Sequence, residues 1–293
     1  MALPLIVAQL TIAQVASGDT RQHFEGVKSK YATTEFVGRF GAPRQFSKPS
    51  AWPTDEDVKA SEAAELPESV DWVATGAVTP AKDQGQCGSC WDFSTTGAIE
   101  GARFISTGVL TSLSEQQFLA CTPFGNCNSE DPYIAMRWAE NHSLCTEGSY
   151  PYKPPSGKPF PPPPPLVCHA DICTVAVPRG AIRGYRFVAS HSEEALRAAV
   201  ARQPISVGVD VAALASYRGG IISGFCSKTV EHAVLVVGYG TEAGRPYWKV
   251  KNSYGHKFGE DGYFRVLRND SACARYKTGG MAILSTPVYP VLG

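Results

Sequence analysis

The sequence has no excess of either charge and no long apolar stretch beyond its first residues. Lys and Arg together number 27, and Asp and Glu also number 27, so the formal net charge is zero. Because nucleic acids bind concentrated positive charge, the balance argues against a nucleic-acid partner. Only the N-terminal segment is continuously apolar, and it is too short to cross a bilayer comfortably. No membrane span is therefore expected, and no internal repeat is visible.

The N-terminal region predicts a secretory protein. Residues 1–18 are apolar and end in small residues near Ser17 and Gly18, which favours a signal peptide, although a basic start is missing. A frayed start or a buried helix is the alternative. Two sequons, at Asn141 and Asn269, fit entry into the secretory pathway. We expect a lysosomal, vacuolar or extracellular location.

Nine cysteines are an odd number for one chain. In a secreted protein this count predicts four disulfides and one free thiol. The 293 residues, of which 43% are hydrophobic, can bury a substantial core.

Residues 19–65 are polar and cysteine-free, and the pattern changes at Leu66. Helical spacing of apolar residues predicts a helix over 89–105 that ends at Gly108, and further helices over 114–121, 132–140 and 192–202. Five strands are predicted after Val175, over 181–189, 205–211, 232–240, 247–254 and 262–267. A helical half followed by a β half indicates an α+β protein of two lobes with a cleft between them.

A proline-rich insertion separates the two halves. Five consecutive prolines at 161–165 favour polyproline II and exclude a helix or a central strand. A solvent-exposed loop is the simpler interpretation, and a docking site for a proline-binding partner is the alternative.

The stretch DQGQCGSCWDFS, residues 83–94, places Cys87 and Cys90 two residues apart just before a predicted helix. A redox dithiol would need a preceding buried strand, but the preceding residues are polar and turn-like. A zinc site would need a second ligand pair, for which only Cys168, Cys173 and His169 are candidates. No metal or cofactor is therefore expected, and one structural cysteine beside one nucleophile remains.

A cysteine nucleophile needs help, because a thiol with a pKa of about 8.5 is mostly protonated at neutral pH. Cys90 stands at a predicted helix start, where unpaired N–H groups favour negative charge. An imidazole partner and a residue to orient it are also required. His232 at a strand start and Asn252 at a strand end supply these side chains.

At these residues the chain resembles the papain-like cysteine proteases of the papain and cathepsin L group. The signature Cys-Gly-Ser-Cys-Trp at 87–91 is present, and His232 lies 142 residues beyond Cys90. The segments LPESVDW, LSEQQF, SYPY, QPISVGVD, YRGGI, EHAVLVVGYG, NSYG and GEDGYFRV follow in the family order. The resemblance runs from about 66 to 289. It implies a two-lobed papain-like fold with a helical lobe over about 76–175 and a β-barrel-like lobe over about 176–288.

The resemblance implies roles for individual residues. Cys90 corresponds to the nucleophile, His232 to the general base and acid, Asn252 to the residue that orients the imidazole, and Gln84 to an oxyanion-hole donor. It also implies the disulfides Cys87–Cys127 and Cys226–Cys273. Cys121 is expected to pair with Cys168 or Cys173, and Cys145 with the other.

The sequence departs from the family pattern at several positions. Asp92 replaces a small residue beside the nucleophile, and its charge can oppose the thiolate or stabilise the imidazolium. Tyr254 and Phe258 stand where the family has tryptophans. Ser129 and Glu130 replace two glycines that allow a substrate strand to pair alongside. No patterned inhibitory helix is found in residues 19–65, so they form only a short or divergent propeptide-like segment before a peptidase domain at 66–293.

The sequence thus predicts a monomeric cysteine endopeptidase that acts on polypeptides and binds cystatin-like inhibitors. The alternative is a weakened or silenced homologue that acts as a binding or regulatory protein. We expect a P2 pocket that accepts hydrophobic residues and tolerates basic ones through Glu130 and Asp131. The substrate-binding residues implied by the resemblance are Ser129, Glu130, Asp131, Pro132, Gly208, Glu231, Ala233, Thr278 and Tyr254.

Overall fold

The structure is a computed structural model that describes residues 66–125, 127, 129–153 and 167–293. The predicted signal peptide at 1–18, the propeptide-like segment at 19–65 and the five prolines at 161–165 lie outside the described residues. No helix within these ranges has both the length and the apolar character that a membrane crossing requires.

Four α-helices are described in these ranges. The first, α1, spans Cys90–Thr107 and ends at Gly108, whose φ of 73° is the left-handed cap conformation. The others are α2 (Glu115–Cys121), α3 (Pro132–Ala139) and α4 (Glu193–Val200). All four agree with the predicted helices to within two or three residues. Ser114 and Ser192 each accept a hydrogen bond from a backbone N–H in the first turn of α2 and α4.

The strands follow mostly after α3. They are β1 (Val70–Asp71), β2 (Leu144–Cys145), β3 (Val175–Val177), β4 (Ile182–Phe187), β5 (Ile205–Val209), β6 (Ile221–Ile222), β7 (His232–Glu242), β8 (Arg245–Lys251), β9 (Tyr263–Leu267) and β10 (Val288–Leu292). Three short 3₁₀ helices, Ala170–Ile172, Ala212–Leu214 and Ser271–Tyr276, connect them.

One eight-stranded sheet dominates the second half of the chain. Its order is β4-β10-β5-β7-β8-β9-β6, with β1 paired to β7, and only β6 and β9 run parallel to each other. The two ends of this path, β4 and β6, do not pair, so the described strands form an open sheet rather than a closed barrel. The α+β class is confirmed, and the described strands of the second lobe do not close into a barrel.

The core has two large apolar clusters that match the two halves of the chain. One gathers residues of β5, β7, β8 and β9, including Trp248 and Phe264. The other joins α1, α2 and α3 around Trp91 and Phe118. Helix α1 packs against β7, and a Cβ added to Gly97 would lie 2.9 Å from Leu235. This close approach brings the start of α1 next to the start of β7, where the candidate site lies.

Candidate active site

The start of α1 carries the thiol of Cys90, which is buried and is the free cysteine among the described residues. Burial raises the pKa of this thiol to about 12. Backbone hydrogen bonds from Ala233, Trp91 and Cys90 itself act in the opposite direction. A thiolate at this position therefore needs the positive charge of a neighbouring imidazolium.

His232 begins β7 and lies beside Cys90, because Ala233, the next residue along β7, hydrogen-bonds the thiol. The Nε2 of His232 lies 2.8 Å from Oδ1 of Asn252, which follows β8. The same Oδ1 accepts the N–H of Ser253 at 2.8 Å, which fixes the orientation of the amide. Because an amide oxygen only accepts, His232 carries a proton on Nε2.

Aromatic rings cover this histidine. The ring of Tyr254 stacks on His232 with centroids 4.9 Å apart, and Phe258 meets Tyr254 edge-on at 5.4 Å. The aromatic cover of His232 that was expected from Tyr254 and Phe258 is therefore present. His232 and Asn252 are fully or almost fully buried, so water competes little for their hydrogen bond.

Gln84 lies in the turn before α1 and is held on several sides. Its Nε2 donates to the carbonyl oxygen of Cys87 at 2.8 Å, and its Oε1 accepts the hydroxyl of Ser253. Its backbone N–H donates to the carbonyl oxygen of Ser253 at 2.9 Å. An amide nitrogen has two donors, so one N–H of Gln84 remains for an oxyanion.

Asp92 is completely buried in the first turn of α1. Neither carboxyl oxygen has a well-formed hydrogen bond to the described part of the chain. Burial, reinforced by Glu115, raises the pKa of Asp92 well above its usual range. The sequence suggested an ionised carboxylate acting on Cys90 or His232, but this environment favours the neutral acid.

A charged cluster lies beneath the site. Lys82 donates to Glu115 at 2.7 Å and to the carbonyl oxygen of Leu113 at 2.8 Å. Burial raises the pKa of Glu115 to about 7, against the opposing effect of Lys82. Burial lowers the pKa of Lys251, which donates to Thr79 at 2.9 Å. A cavity of about 20 Å³ beside these side chains has room for about one water.

Sequence reasoning missed several of these residues. Ser253, Tyr152 and the members of the charged cluster support Gln84, Asn252 and α1. Tyr152 and Ser253 lie in the segments SYPY and NSYG, but no role was predicted for either of them. Proximity gave a further signal for two of them, since Ser253 follows Asn252 and Lys82 precedes Gln84 by two residues.

The predicted substrate-binding residues fall into two groups. Ser129 joins the nucleophile loop, because its N–H donates to the carbonyl oxygen of Gly88 at 3.1 Å. Its φ of 66° is a left-handed conformation that glycine adopts more readily. Glu130 accepts the N–H of Asp131 at 3.0 Å, and Asp131 is 6% exposed at the start of α3, before Pro132.

The second group lies on the sheet. Gly208 of β5 pairs with Ala233 of β7, next to His232, and Glu231 donates its N–H to the carbonyl oxygen of Val209. Thr278 is buried and donates to the carbonyl oxygen of Ser227 at 2.6 Å. Its hydroxyl is thus occupied within the protein.

The structure joins the remaining eight cysteines in four disulfides. These are Cys87–Cys127, Cys121–Cys168, Cys145–Cys173 and Cys226–Cys273. The sequence left the partners of Cys121 and Cys145 open, because either arrangement satisfied the count. Among the described residues, no three His, Cys, Asp or Glu side chains lie together in a metal-binding arrangement.

Comparison with known proteins gives a consistent result. A family model described as papain family cysteine protease matches residues 66–283. Zingipain-2 of Zingiber officinale is 44% identical over 209 residues, 70% of this chain and 89% of that protein. Germination-specific cysteine protease 1 of Arabidopsis thaliana is 42% identical over 232 residues, 78% of this chain but only 58% of that protein.

Solved structures agree. The bromelain protease from Ananas comosus, solved in complex with the E64 inhibitor, superposes with a TM-score of 0.69 at 34% identity. The match covers 78% of this chain and 100% of that one. The proform of the ragweed pollen allergen Amb a 11, a cysteine protease, gives a TM-score of 0.74 at 33% identity, over 88% of this chain and 78% of that one.

Proposed function

This chain belongs to the papain family of cysteine proteases, and we propose that it is an endopeptidase in which Cys90, His232, Asn252 and Gln84 carry the reaction. The observation that supports these roles most directly is the convergence of the four side chains. A buried thiol at a helix start lies beside an imidazole that Asn252 orients at 2.8 Å. Such a nucleophile, base and orienting residue form the arrangement that covalent catalysis needs.

The reaction begins when Cys90 transfers its proton to His232. The thiolate attacks the peptide carbonyl carbon, and the developing oxyanion accepts hydrogen bonds from the Cys90 N–H and the Gln84 side chain. His232 then protonates the leaving amine as the C–N bond breaks, which leaves a thioester on Cys90. Water, deprotonated by His232, hydrolyses the thioester and restores the thiol. Asn252 and Tyr254 hold the imidazole in place throughout.

We propose that the P2 side chain is bound between α3 and the β5–β7 pair. The backbone of Ser129 and Glu130 would pair with the substrate, and Asp131 would receive a basic P2 side chain. The walls of this pocket would be Pro132, Gly208, Glu231, Ala233 and Thr278.

The specificity proposal is tested with a peptide library varied at P2 and with Asp131→Asn. We expect the ratio of kcat/KM for Arg over Leu at P2 to fall about 5-fold in the variant, a change near 1 kcal/mol. Glu130→Gln is the matched comparison, and should change the ratio less because Glu130 already accepts the Asp131 N–H. Strict preference for aromatic P2 residues, without tolerance of basic ones, would contradict the proposal.

The catalytic proposal is tested by labelling with an epoxide-type thiol-protease inhibitor followed by peptide mapping. We expect one equivalent of label on Cys90, and no label in Cys90→Ala. Absence of labelling in properly folded protein would instead favour a silenced homologue that binds peptides without cleaving them.

We also propose passage through the secretory pathway to a vacuolar, lysosomal or extracellular site, with a signal peptide at 1–18, a propeptide-like segment at 19–65 and a peptidase domain from 66. The exposed side chains of Asn141 and Asn269 are the proposed glycosylation sites. A monomer that binds cystatin-like inhibitors completes the proposal. Mass measurement of the secreted protein before and after deglycosylation tests cleavage and glycan occupancy together.

A further inference from the structure

Ser89 precedes α1 as its N-cap residue, but its hydroxyl does not cap the helix. An N-cap serine ordinarily accepts a hydrogen bond from a backbone N–H two or three positions further on. Here the Ser89 Oγ lies 2.7 Å from the hydroxyl of Tyr152 instead. Ser114 and Ser192, which begin α2 and α4, cap in the usual way.

The Tyr152 hydroxyl also donates to the carbonyl oxygen of Gln84 at 3.0 Å. Since its single proton goes to Gln84, it accepts the proton of Ser89. Burial raises the pKa of Tyr152, so the phenol stays protonated and able to donate. The ring is fixed by an edge-to-face contact with Phe93, whose centroid is 4.8 Å away. One hydroxyl thus bridges the Gln84 turn and the start of α1.

The uncapped helix start matters because its N–H groups serve the nucleophile. The N–H of Asp92 bonds the carbonyl oxygen of Ser89, whereas the N–H groups of Cys90 and Trp91 stabilise the thiolate form of Cys90. A Ser89 hydroxyl that turned inward to cap α1 would compete with the Cys90 thiolate for the Trp91 N–H, which lies two positions beyond the N-cap.

We propose that Tyr152 is a positioning residue for the peptidase reaction, because its hydroxyl keeps Ser89 from capping α1 and holds the Gln84 turn. It thereby leaves the Trp91 N–H to the Cys90 thiolate and keeps the Gln84 side chain directed at the oxyanion. This inference rests on the proposed function, and it assigns Tyr152 no contact with the substrate. The effect is therefore on transition-state stabilisation rather than on substrate binding.

The test is Tyr152→Phe, which keeps the ring and removes the hydroxyl. We expect kcat to fall about 5- to 10-fold, the value of roughly one net hydrogen bond, while KM changes less than about 2-fold. Affinity for a peptide aldehyde, whose hemithioacetal oxygen occupies the oxyanion position, should fall by the same factor as kcat. Adding Ser89→Ala to Tyr152→Phe should recover about 3-fold of the lost kcat, because the competing cap is gone.

Tyr150→Phe is the matched control, since its hydroxyl bonds the exposed Val167 carbonyl oxygen at 3.1 Å, away from the site. It should leave kcat and aldehyde affinity unchanged. Equal kcat in Tyr152→Phe and wild type, an equal loss in Tyr150→Phe, or a further loss on adding Ser89→Ala would each overturn the inference. A wild-type enzyme that neither turns over peptides nor labels at Cys90 would overturn the proposed function, and this inference with it.

Discussion

Asp92 gives the most specific prediction about this chain, because a buried carboxyl with no well-formed hydrogen bond to the described residues makes stability depend on pH. Its pKa is raised in the folded protein, mainly by burial, relative to the unfolded value of about 3.9. Below the unfolded pKa both states are protonated, and the stability is fully present. As pH rises through the interval up to the folded pKa, the unfolded chain releases a proton that the folded protein retains. The free energy of unfolding therefore falls, by about 1.4 kcal/mol for each pH unit in that interval.

We expect Asp92→Ala and Asp92→Asn to remove this slope. Neither alanine nor asparagine titrates. Relative to wild type, the free energy of unfolding of each variant should therefore increase by about 3 kcal/mol over two pH units within the interval. Any constant cost of a cavity or a buried amide shifts the curves without changing their slope.

The assay is urea unfolding at a series of pH values from about 4 upward, with all proteins in a Cys90→Ala background to prevent autolysis. Glu115 and the other carboxyls titrate in every variant, so their contributions to the pH dependence cancel in the difference between variant and wild type. Asp171→Ala, at an exposed position, is the control and should leave the slope unchanged. A difference between Asp92→Ala and wild type that is constant with pH would refute the conclusion that Asp92 is buried as a neutral acid.

Two further predictions concern the residues around the catalytic pair. Tyr254→Ala should lower kcat/KM about 3- to 10-fold, because His232 loses its aromatic cover, whereas kcat/KM of Tyr254→Trp should equal or exceed that of wild type. Steady-state kinetics of both variants test this role. A lower kcat/KM in Tyr254→Trp without a loss in Tyr254→Ala would contradict it. Lys82→Ala should destabilise the fold by about 3 kcal/mol at pH 8, because Glu115 and Glu100, which lie 2.7 and 3.7 Å from the Lys82 Nζ, lose their counter-charge. This loss of stability should be smaller at pH 5, where Glu115, with a pKa of about 7, is mostly protonated. Urea unfolding at the two pH values measures the difference. An equal loss at both would argue against an ion pair between Lys82 and Glu115.

The helices and the main strands could be predicted because their signals are local. The bounds of α1 were predicted closely from the apolar periodicity over 89–105 and from Gly108. Apolar spacing and a left-handed cap are properties of a few adjacent residues. The end of β8 was less accurate, because the predicted strand ran to Tyr254, whereas β8 ends at Lys251 and the polar Asn252 and Ser253 turn towards the site. The pairing order of the sheet and the open path from β4 to β6 depend on contacts between distant strands, which no local pattern encodes.

The side chains of the site were predictable where motifs carried them. Cys90, His232, Asn252 and Gln84 were named from the sequence, and the structure brings them together at the start of α1. The state of Asp92 was not predictable, because its charge depends on burial and on the nearby charges of Glu115, Lys82 and Glu147. Tyr152 lies more than 60 residues along the chain from both Ser89 and Gln84, which explains why the bridge that its hydroxyl forms was missed as well.

The measurement that tests the central claim most directly is the pH dependence of Cys90 alkylation by iodoacetamide in wild type and in His232→Ala. Pairing with His232 predicts fast alkylation between about pH 5 and 8 in wild type, where a thiolate and an imidazolium coexist. In His232→Ala the rate at pH 6 should fall at least about 100-fold and rise steadily with pH, as expected for a buried thiol whose pKa is raised. Identical profiles in two equally well folded proteins would contradict the assignment of Cys90 and His232 as a catalytic pair.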